Sequence, residues 1–595
     1  MPTKTGLLTG VALLVAFLAQ GWCFVRANSQ THDEAAHLAA GYSYLTRHDF
    51  RLNPEHPPLL KELAALPIYL RYRLPFEPPE TLWDEAEQWG IGREFLYHSR
   101  VPHDELLTLG RLPGLAMGAL LVGLVGWWSH RLWGPRAAFL AMALAAFEPN
   151  LVANAGLITQ DMGSALFIFL TMYLLWEYGN RRSKWFLVGA GLCTGLALAS
   201  KATGVLLFGV GGMILLAHVV LLRSPLLPAA TEPARRDRLK QAVAVGGVIA
   251  ILAALAILAT YFFQGWGTWL VGFFTQASLA ETHWPAFFLG DYSREGWLLY
   301  YPVAFLMKTP VATVALIAAS LTLFRAGMPL RGREALFLLL PVAVILGAMI
   351  VGRVDVGARY VLPIYPFLFV CAGRLATLSL RRRWLTPALL GVPVLLAALS
   401  SLRQAPHQLA YFNELAGGPG EGRRYLLDSN IDWGQDLKGL KEYIDREGLP
   451  EVTLAYFGTA PPEAYGIRYR RAPNFDPVSW PPEPAESPSD GTAPSVLAVS
   501  VNSLQGLYLG EPGPYRPFAL RVPKATVGAS ILIYDLGDAD AHDDLARVYL
   551  YAAERELDKA ARNDQDGKHE AAEKRRQGAR QWRRWAGEQG LTPSP

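Results

Sequence analysis

Long apolar runs separated by short polar stretches dominate the first 400 residues of the chain. Crossing a bilayer as a helix takes about 20 residues, and runs near that length lie at 6–25, 107–128, 134–150, 156–177, 185–200, 202–222, 241–264, 297–323, 334–351, 358–379 and 385–402. The pattern predicts a polytopic α-helical membrane protein with about 11 transmembrane helices. The first run is longer than the apolar part of a signal peptide, which favours a retained first helix.

Basic residues cluster in alternate loops between these runs. If the amino terminus is cytoplasmic, the inside loops are those that carry Lys and Arg clusters, at 130–136, 179–184, 223–240, 325–333 and 374–383. The positive-inside rule therefore supports the helix count and this orientation together. The same topology places four parts of the chain outside: the loop 26–105, the loop 265–296, the turn near Arg353 and everything after about residue 403.

The pattern changes after residue 402. Short β-like runs at 425–427, 452–456, 495–501 and 530–534, with a helix at 436–446, predict an extracytoplasmic α/β domain over 403–540. A Pro-rich stretch, PNFDPVSWPPEPAESPSD, interrupts this domain and predicts a loop. Residues 541–595 are charged with helical spacing and predict a tail of one or two exposed amphipathic helices. The division is thus a transmembrane domain over 1–402, the α/β domain and the tail.

Composition agrees with this division and excludes one class of partner. The chain is 51% hydrophobic and only 18% charged, with a mean hydropathy of +0.19. Its formal net charge of +4 is too small to indicate nucleic acid as a partner. The expected surroundings are membrane lipids, and the expected location is a bacterial inner membrane.

Two adjacent carboxylates, Asp33 and Glu34, follow the first apolar run in the stretch THDEAAHL. A carboxylate at the mouth of a helical bundle is either a solvated loop charge or a group positioned as a base. The choice depends on what else the topology brings to the outer face.

Several cations and a further acid lie on that face. The outer loop carries NPEHPPLLKEL with His56 and Lys61, and LGRLPG places Arg111 at the outer start of the second run. The outer ends of later runs carry Asp161, Lys201, Lys308 and Arg359. Each cation alone is explained by snorkelling or by anchoring a helix end. Together they suit a lipid phosphate in the outer leaflet, with a carboxylate to accept the proton of an incoming hydroxyl.

These segments resemble the lipid-carrier-dependent glycosyltransferases of the C superfamily, which include protein O-mannosyltransferases and the aminoarabinose transferases that act on lipid A. The resemblance is carried by Asp33-Glu34, HPPLLK at 56–61, RLPG at 111–114 and TQD at 159–161. Later segments, GDYSREGWLLYYPVAFLMKTP, GARYVLPIYPFL, YFNELAGGPGEG and LLDSNIDWGQDLKGL, look like a bacterial subgroup. The similarity spans roughly residues 28–536 and leaves the tail uncovered.

The resemblance implies a GT-C-like fold and a single-step inverting transfer from a polyprenyl-phosphate sugar donor to an acceptor hydroxyl. Asp33 matches the general base of the first outer loop. Lys61, Arg111 and Arg359, with Lys201 and Lys308 as further candidates, would stabilise the donor phosphate, while Glu34, His56 and Asp161 would orient the base, the acceptor or the loop. No cofactor is required in the mannosyltransferase-like branch, although a divalent cation, as in other members, stays open.

Two aromatic patches are candidates for sugar or acceptor recognition. Asp432 and Trp433 stand in DSNIDWGQD, which equally suits a turn with a helix cap, and His283 and Trp284 stand in the outer loop THWPAFFLGDY. The sequence does not identify the sugar, and lipid, glycan and protein acceptors all stay open. Two other classes of function compete: a transporter or flippase for lipid-linked sugars, and a non-catalytic membrane assembly protein.

Overall fold

The structure is a computed structural model that describes residues 4–222, 234–281, 284–322, 332–378, 385–475, 494–510 and 513–589. These residues pack into two units. The first comprises residues 1–26, 36–284 and 293–418, and the second comprises 27–35, 285–292 and 419–595.

The first unit is helical. Its elements are α1 (Lys4–Ala27), α2 (Glu34–Arg47), α3 (Leu59–Tyr72), α4 (Glu80–Asp84), α5 (Gln88–Tyr97), α6 (His103–Trp133), α7 (Pro135–Ala146), α8 (Pro149–Ala155), α9 (Asp161–Arg181), α10 (Lys184–Ser200), α11 (Leu206–Ala217), α12 (Arg235–Thr260), α13 (Trp266–Glu281), α14 (Tyr300–Lys308), α15 (Val311–Thr322), α16 (Gly332–Gly352), α17 (Tyr365–Gly373) and α18 (Leu385–Gln404). The ends of α1 and α2 that meet the stretch 27–35 belong to the second unit.

The described residues contain seven helical segments that are long and apolar enough to cross a membrane. Two bent pairs and two shorter apolar helices account for the remaining predicted runs. The multi-span fold class is therefore confirmed, and the number of crossing helices stays a prediction. The bend of 118° between α14 and α15 falls at Pro310, which cannot continue the hydrogen-bond ladder of a helix.

The outer loop 26–105 is more regular than the sequence pattern predicts, because it contains α2, α3, α4 and α5. Helices α2 and α3 approach closely at Gly41. A Cβ atom at this position would lie 1.9 Å from the carbonyl oxygen of Lys61. Only glycine allows this contact without a shift of one helix, so the loop is held as a packed helical layer.

The second unit contains a five-stranded mixed sheet. Its strands are β3 (Val452–Ala455), β4 (Tyr469–Arg471), β5 (Val496–Ser500), β6 (Ala525–Val527) and β7 (Ile531–Asp535), after a small hairpin of β1 (Ala286–Phe288) and β2 (Asp291–Ser293). The order is β4-β3-β5-β7-β6, with β3 parallel to β4 and β5, and β7 antiparallel to β5 and β6. All residues of β3 and β5 are buried, as in strands covered on both faces.

The helices of this unit are α19 (Pro419–Gly422), α20 (Leu437–Glu447), α21 (Val501–Leu504), α22 (Arg516–Ala519), α23 (Ala539–Gln565) and α24 (His569–Glu588). The predicted α/β character and the helix near 436–446 are thus present. The predicted strand at 425–427 is wrong. Leu426 forms a single bridge to Phe288, and Asp428 then adopts a positive φ that turns the chain.

The tail also differs from the prediction of exposed helices. Helices α23 and α24 are amphipathic, but they bury an aromatic face on which Tyr549, Trp582 and Trp585 are at most 3% exposed. The rings of Tyr549 and Trp582 stack with centroids 5.7 Å apart. The tail is therefore part of the second unit, in contrast to the separate segment drawn from its charge. Most of the Pro-rich stretch lies outside the described residues.

Candidate active site

Asp161 is the first residue of α9 and lies between two cations. Its carboxylate is 2% exposed, with Oδ1 2.6 Å from Lys201 Nζ and Oδ2 3.6 Å from Arg359 Nη1. Lys201 follows the last residue of α10, and Arg359 lies in the 3-10 turn Ala358–Ile364. An acid at a helix start and a cation at a helix end both interact favourably with the helix dipoles.

Tyr360 supports both cations. Lys201 Nζ lies 3.9 Å and the Arg359 guanidinium carbon 5.5 Å from the centroid of its ring. Lys201 and Arg359 thus share the carboxylate of Asp161 in a buried place. Such a cluster attracts an anion that reaches it.

His37 and His56 lie beside this cluster. Their rings meet edge to face with centroids 5.4 Å apart, and His37 Nδ1 is 2.8 Å from the carbonyl oxygen of Ile158, three residues before Asp161. Burial and the charges of His37, Lys61, Lys201 and Arg359 lower the pKa of His56 well below its usual range. The His56 imidazole is therefore neutral at pH 7 and can serve as a hydrogen-bond partner.

Lys61 organises the loop that carries His56. It is fully buried, and its Nζ donates hydrogen bonds to Tyr44 Oη at 2.8 Å, to the carbonyl oxygens of Asn53 and His56, each at 2.7 Å, and to Asn53 Oδ1 at 3.1 Å. Burial lowers the pKa of Lys61 to about 7, against the charges of Glu55 and Glu62. These contacts favour a structural role for Lys61, and direct contact with a phosphate stays a prediction.

Arg111 and Lys308 have other surroundings. Arg111 is fully buried on α6 and donates from Nη1 to the carbonyl oxygen of Val25 at 3.0 Å. Lys308 ends α14, where its Nζ donates to the carbonyl oxygen of Leu409 at 2.8 Å and lies 4.8 Å from the Phe412 ring centroid. Of the five predicted phosphate ligands, Lys201 and Arg359 both contact the carboxylate of Asp161.

Sequence reasoning missed a second buried polar cluster, around Lys308. Asn150 Nδ2 donates to Glu148 Oε1 and to the carbonyl oxygen of Lys308, each at 2.6 Å. Thr309 Oγ1 lies 2.9 Å from Tyr365 Oη, and Asn413 Nδ2 donates to the carbonyl oxygen of Thr309 at 2.8 Å. A buried acid within the EPN stretch at 148–150 was the available signal, because an acid inside an apolar run needs partners.

Asp33 and Glu34 lie in the stretch 27–35 of the second unit. Asp33 is half-buried and immediately precedes α2. Glu34 is fully buried, and its Oε2 accepts a hydrogen bond from the Thr31 backbone N–H at 2.8 Å. Glu34 thus closes the turn that contains Asp33, and its role in orienting the base stays a prediction.

The segment before Asp33 pairs with the DSNIDWGQD stretch of the same unit. The backbone N–H groups of Ser29 and His32 donate to the carbonyl oxygens of Gln435 and Trp433, each at 2.9 Å. Asp432 and Trp433 are 0% and 3% exposed. Their side chains are therefore packing and hydrogen-bonding groups of this unit, and sugar recognition by them stays a prediction.

Trp284 lines a cavity of about 420 Å³ in the first unit, together with Arg294, Arg353 and Asp355. The Trp284 side chain is 46% exposed. Asp355 Oδ2 accepts a hydrogen bond from the Trp297 backbone N–H at 2.6 Å, and burial raises the pKa of Asp355 to about 6. His283, the other predicted residue, lies outside the described residues.

The cluster of Asp161, Lys201 and Arg359 does not fit a divalent cation. Both carboxylate oxygens of Asp161 face positively charged side chains, which would repel a metal ion. Among the described residues, no group of three His, Cys, Asp or Glu side chains could hold a metal ion. That no cofactor is required, with a divalent cation as the open alternative, stays a prediction.

The decisive comparison is with protein-family models. Residues 10–267 match the model described as dolichyl-phosphate-mannose-protein mannosyltransferase. The predicted resemblance is confirmed over these residues. The matched part contains Asp33, His56, Lys61, Arg111, Asp161 and Lys201.

Solved structures give more distant similarities. The ArnT crystal structure from Cupriavidus metallidurans bound to undecaprenyl phosphate is 14% identical, covers 89% of this chain and 98% of its own, and has a TM-score of 0.47. The Archaeoglobus fulgidus oligosaccharyltransferase in complex with Zn and sulfate is 14% identical, covers 74% of this chain and 55% of its own, and has a TM-score of 0.38. A comparison with curated protein sequences finds no match.

Proposed function

We propose that the chain is an inverting glycosyltransferase that moves a sugar from a polyprenyl-phosphate donor to an acceptor hydroxyl on the extracytoplasmic face of the membrane. The observation that carries the proposal is that Asp161 holds two cations, Lys201 and Arg359, in one buried cluster. The match of residues 10–267 to the model described as dolichyl-phosphate-mannose-protein mannosyltransferase supports it.

The donor phosphate binds to Lys201 and Arg359 in this mechanism. The two cations stabilise the negative charge that develops on the phosphate as the bond to the sugar breaks. Asp161 holds both side chains in place through its two oxygens, and the Tyr360 ring limits their movement. Because phosphate is a good leaving group, charge stabilisation replaces proton donation at this step.

Asp33 is the general base. Its carboxylate takes the proton of the acceptor hydroxyl as the hydroxyl oxygen forms a bond to the anomeric carbon. The attack comes from the face opposite the phosphate, and the bond between that carbon and the phosphate oxygen breaks with its electron pair. One displacement inverts the anomeric configuration, so the polyprenyl phosphate leaves and the sugar is joined to the acceptor.

The cavity beside Trp284 is the proposed acceptor site in the first unit. An exposed indole offers a flat face to a sugar ring or an aromatic group, while Arg294, Arg353 and Asp355 supply polar partners. Small-molecule sites combine such an apolar surface with a few polar groups that fix orientation. Lipid, glycan and protein acceptors all present the hydroxyl that the reaction needs.

The test is a transfer assay with the purified chain in lipid nanodiscs. Radiolabelled polyprenyl-phosphate hexoses and pentoses are the donors, and extracted membrane lipids, glycans and proteins are the acceptors. We expect release of polyprenyl phosphate together with a product whose anomeric configuration is opposite to that of the donor.

A retained configuration would contradict the single displacement. Movement of the intact lipid-linked sugar across a vesicle membrane, without any transfer, would instead support the flippase alternative. Arg359→Gln is expected to raise the KM for the donor at least tenfold by loss of a phosphate contact. Arg51→Gln, on the exposed Asp49 pair, is the control that removes an unrelated cation.

A further inference from the structure

The segment that leads into Asp33 is held by a hydroxyl group from the α/β domain. Thr459 lies four residues after the last residue of β3, in the stretch YFGTAPPE of the second unit, and is 9% exposed. Its Oγ1 donates a hydrogen bond to the carbonyl oxygen of His32 at 2.6 Å and accepts one from Gln30 Nε2 at 2.7 Å. Because His32 immediately precedes Asp33, both hydrogen bonds fall on the residues next to the proposed base.

The direction of these two hydrogen bonds follows from the groups that make them. The amide nitrogen of Gln30 can only donate, so it occupies an acceptor position of the Thr459 hydroxyl. The carbonyl oxygen of His32 can only accept, so it receives the single hydrogen of that hydroxyl. The Gln30 amide also donates to the carbonyl oxygen of Thr31 at 3.1 Å. Residues 30–32 are therefore joined through one side chain of the α/β domain.

The peptide group that Thr459 contacts includes the backbone of Asp33. The carbonyl group of His32, the backbone nitrogen of Asp33 and the Cα atom of Asp33 lie in one plane, because peptide bonds are planar. In the preceding peptide group, the N–H of His32 donates to the carbonyl oxygen of Trp433 at 2.9 Å. Hydrogen bonds on both sides of His32 thus fix the direction in which the chain enters Asp33.

The stretch that carries Thr459 is itself attached to the sheet. The backbone N–H of Phe457 donates to Ser500 Oγ at 3.0 Å, at the last residue of β5. The Phe457 ring stacks on the His32 imidazole, with centroids 5.4 Å apart and an angle of 18° between the ring planes. Since β3 and β5 are buried neighbours in the sheet, the core of the α/β domain determines the position of Thr459.

We propose that Thr459 is a positioning residue for Asp33, through which the α/β domain holds the general base in its productive place. The inference rests on the proposed function, because it requires Asp33 to be the base. A base acts within hydrogen-bond reach of the acceptor hydroxyl, and a displacement of about 1 Å can cost about a hundredfold in rate. Thr459 acts through the His32 backbone and takes no proton itself.

The variant Thr459→Val tests this role, because it removes the hydroxyl and leaves a side chain of similar shape. We expect its kcat for polyprenyl-phosphate sugar transfer to fall about tenfold, since the other hydrogen bonds on residues 29–32 limit the displacement of Asp33. The KM for the donor should change less than about twofold, because the proposed phosphate ligands belong to the first unit.

Two further variants serve as controls. Thr459→Ser keeps the hydroxyl and should keep at least about half of the wild-type kcat. Thr453→Val removes a hydroxyl from the same strand and should leave kcat unchanged. Thr453 is 1% exposed and pairs with Arg470 and Leu497 inside the sheet.

A second measurement separates positioning of the base from support of the fold. In the Asp33→Asn background, Thr459→Val is expected to lower the rate less than about twofold, because no carboxylate remains to be positioned. Single-turnover assays with a radiolabelled donor and excess protein measure these slow rates. A residue that only supports the fold would lower the rate about tenfold in both backgrounds.

The proposal is overturned if Thr459→Val keeps the wild-type kcat, if Thr459→Ser loses as much as Thr459→Val, or if the loss is equal in both backgrounds. If Thr459→Val does not fold, Thr459→Ala replaces it, with the same expected loss. Transfer by Asp33→Asn at the wild-type rate would instead overturn the proposed function. Loss of transfer in Asp33→Asn together with full activity of Thr459→Val would overturn this inference alone.

Discussion

Asp161 is the residue on which the cation cluster depends. Removing one partner from a buried ion pair leaves an uncompensated charge, at a cost of about 3–5 kcal/mol. In this cluster the remaining charges would be two cations of the same sign, Lys201 and Arg359. The carboxylate therefore holds together a group whose proposed task is to receive an external anion.

Asp161→Asn is expected to lower the free energy of unfolding by about 3 kcal/mol, because it removes the buried carboxylate that Lys201 and Arg359 share. Asp161→Asn/Lys201→Met should be less destabilised than the sum of the single variants by at least about 1 kcal/mol. Titration with a denaturing detergent in mixed micelles measures these energies. Strictly additive effects would show that the Asp161–Lys201 contact contributes no coupling.

Asp432 controls a pH dependence in the second unit. Burial raises its pKa to about 8, and the Gly434 backbone N–H donates to its Oδ1 at 3.2 Å. The raised pKa means that the folded state holds a proton that the unfolded state releases near pH 4. The free energy of unfolding therefore falls as pH rises from about 4 to about 8.

We expect Asp432→Asn to flatten this dependence, because the amide keeps a neutral side chain of the same shape. Between pH 5 and pH 8, the free energy of unfolding of the wild type should fall relative to that of the variant by up to about 1.4 kcal/mol per pH unit. Unfolding curves of both proteins at four pH values measure the difference. If the free energies of unfolding of the two proteins changed equally with pH, the raised pKa of Asp432 would be contradicted.

At the scale of elements, α2 and α3 form the packed layer that carries His37, His56 and Lys61. Their approach at Gly41 places the Lys61 backbone where its side chain reaches Asn53 and His56. A displacement of either helix moves His56 relative to the Asp161 cluster of the same unit.

Gly41→Ala is expected to destabilise the protein by about 1–3 kcal/mol, because its Cβ would meet the Lys61 carbonyl oxygen and force the helices apart. Gly123→Ala on α6 is the matched control. Its Cβ has no neighbour within 4 Å, so helix propensity should leave stability unchanged or raised by up to about 1 kcal/mol. Thermal unfolding of both variants checks the contrast. Equal loss in the two would mean that the close approach is not the cause.

The elements predicted from the sequence are those with long or regular patterns. Strands at 452–456, 495–501 and 530–534 correspond to β3, β5 and β7, since buried β-branched runs identify central strands. The three-residue strands β4 and β6 carry too few positions for a pattern to show. In the tail, the spacing of apolar residues predicts helices. It does not predict that Tyr549 and Trp582 are buried, because their burial depends on contacts made only in the folded unit.

The same limit applies to the site. Alternating loops of basic residues give the position of a side chain along the membrane normal but not its position around the bundle. Lys201, Arg359 and Lys308 therefore looked equivalent in the sequence, although the first two meet Asp161 and the third meets Leu409 and Phe412. The hydrogen bonds between residues 29–32 and 433–435 could not be predicted from the local sequence either, because about 400 residues of chain separate the partners.

At the scale of the whole molecule, the account requires the α/β domain to face the outside of the cell. We expect a cysteine placed at residue 595 to react with a membrane-impermeant maleimide in intact spheroplasts, because the basic loops hold the opposite side in the cytoplasm. A cysteine at residue 136, in the first predicted inside loop, is the control and should react only after lysis. Labelling of residue 595 only after lysis would contradict the outward orientation of the α/β domain.

The central claim is that Asp33 is the general base of glycosyl transfer, and Asp33→Asn tests it most directly. General bases contribute about 10²–10⁴-fold to rate, so the variant should lose at least about a hundredfold in kcat for polyprenyl-phosphate sugar transfer while it expresses and binds donor normally. Asp49→Asn, in the same outer loop and paired with Arg51, should keep the wild-type rate. Transfer by Asp33→Asn at the rate of the wild type would contradict the account.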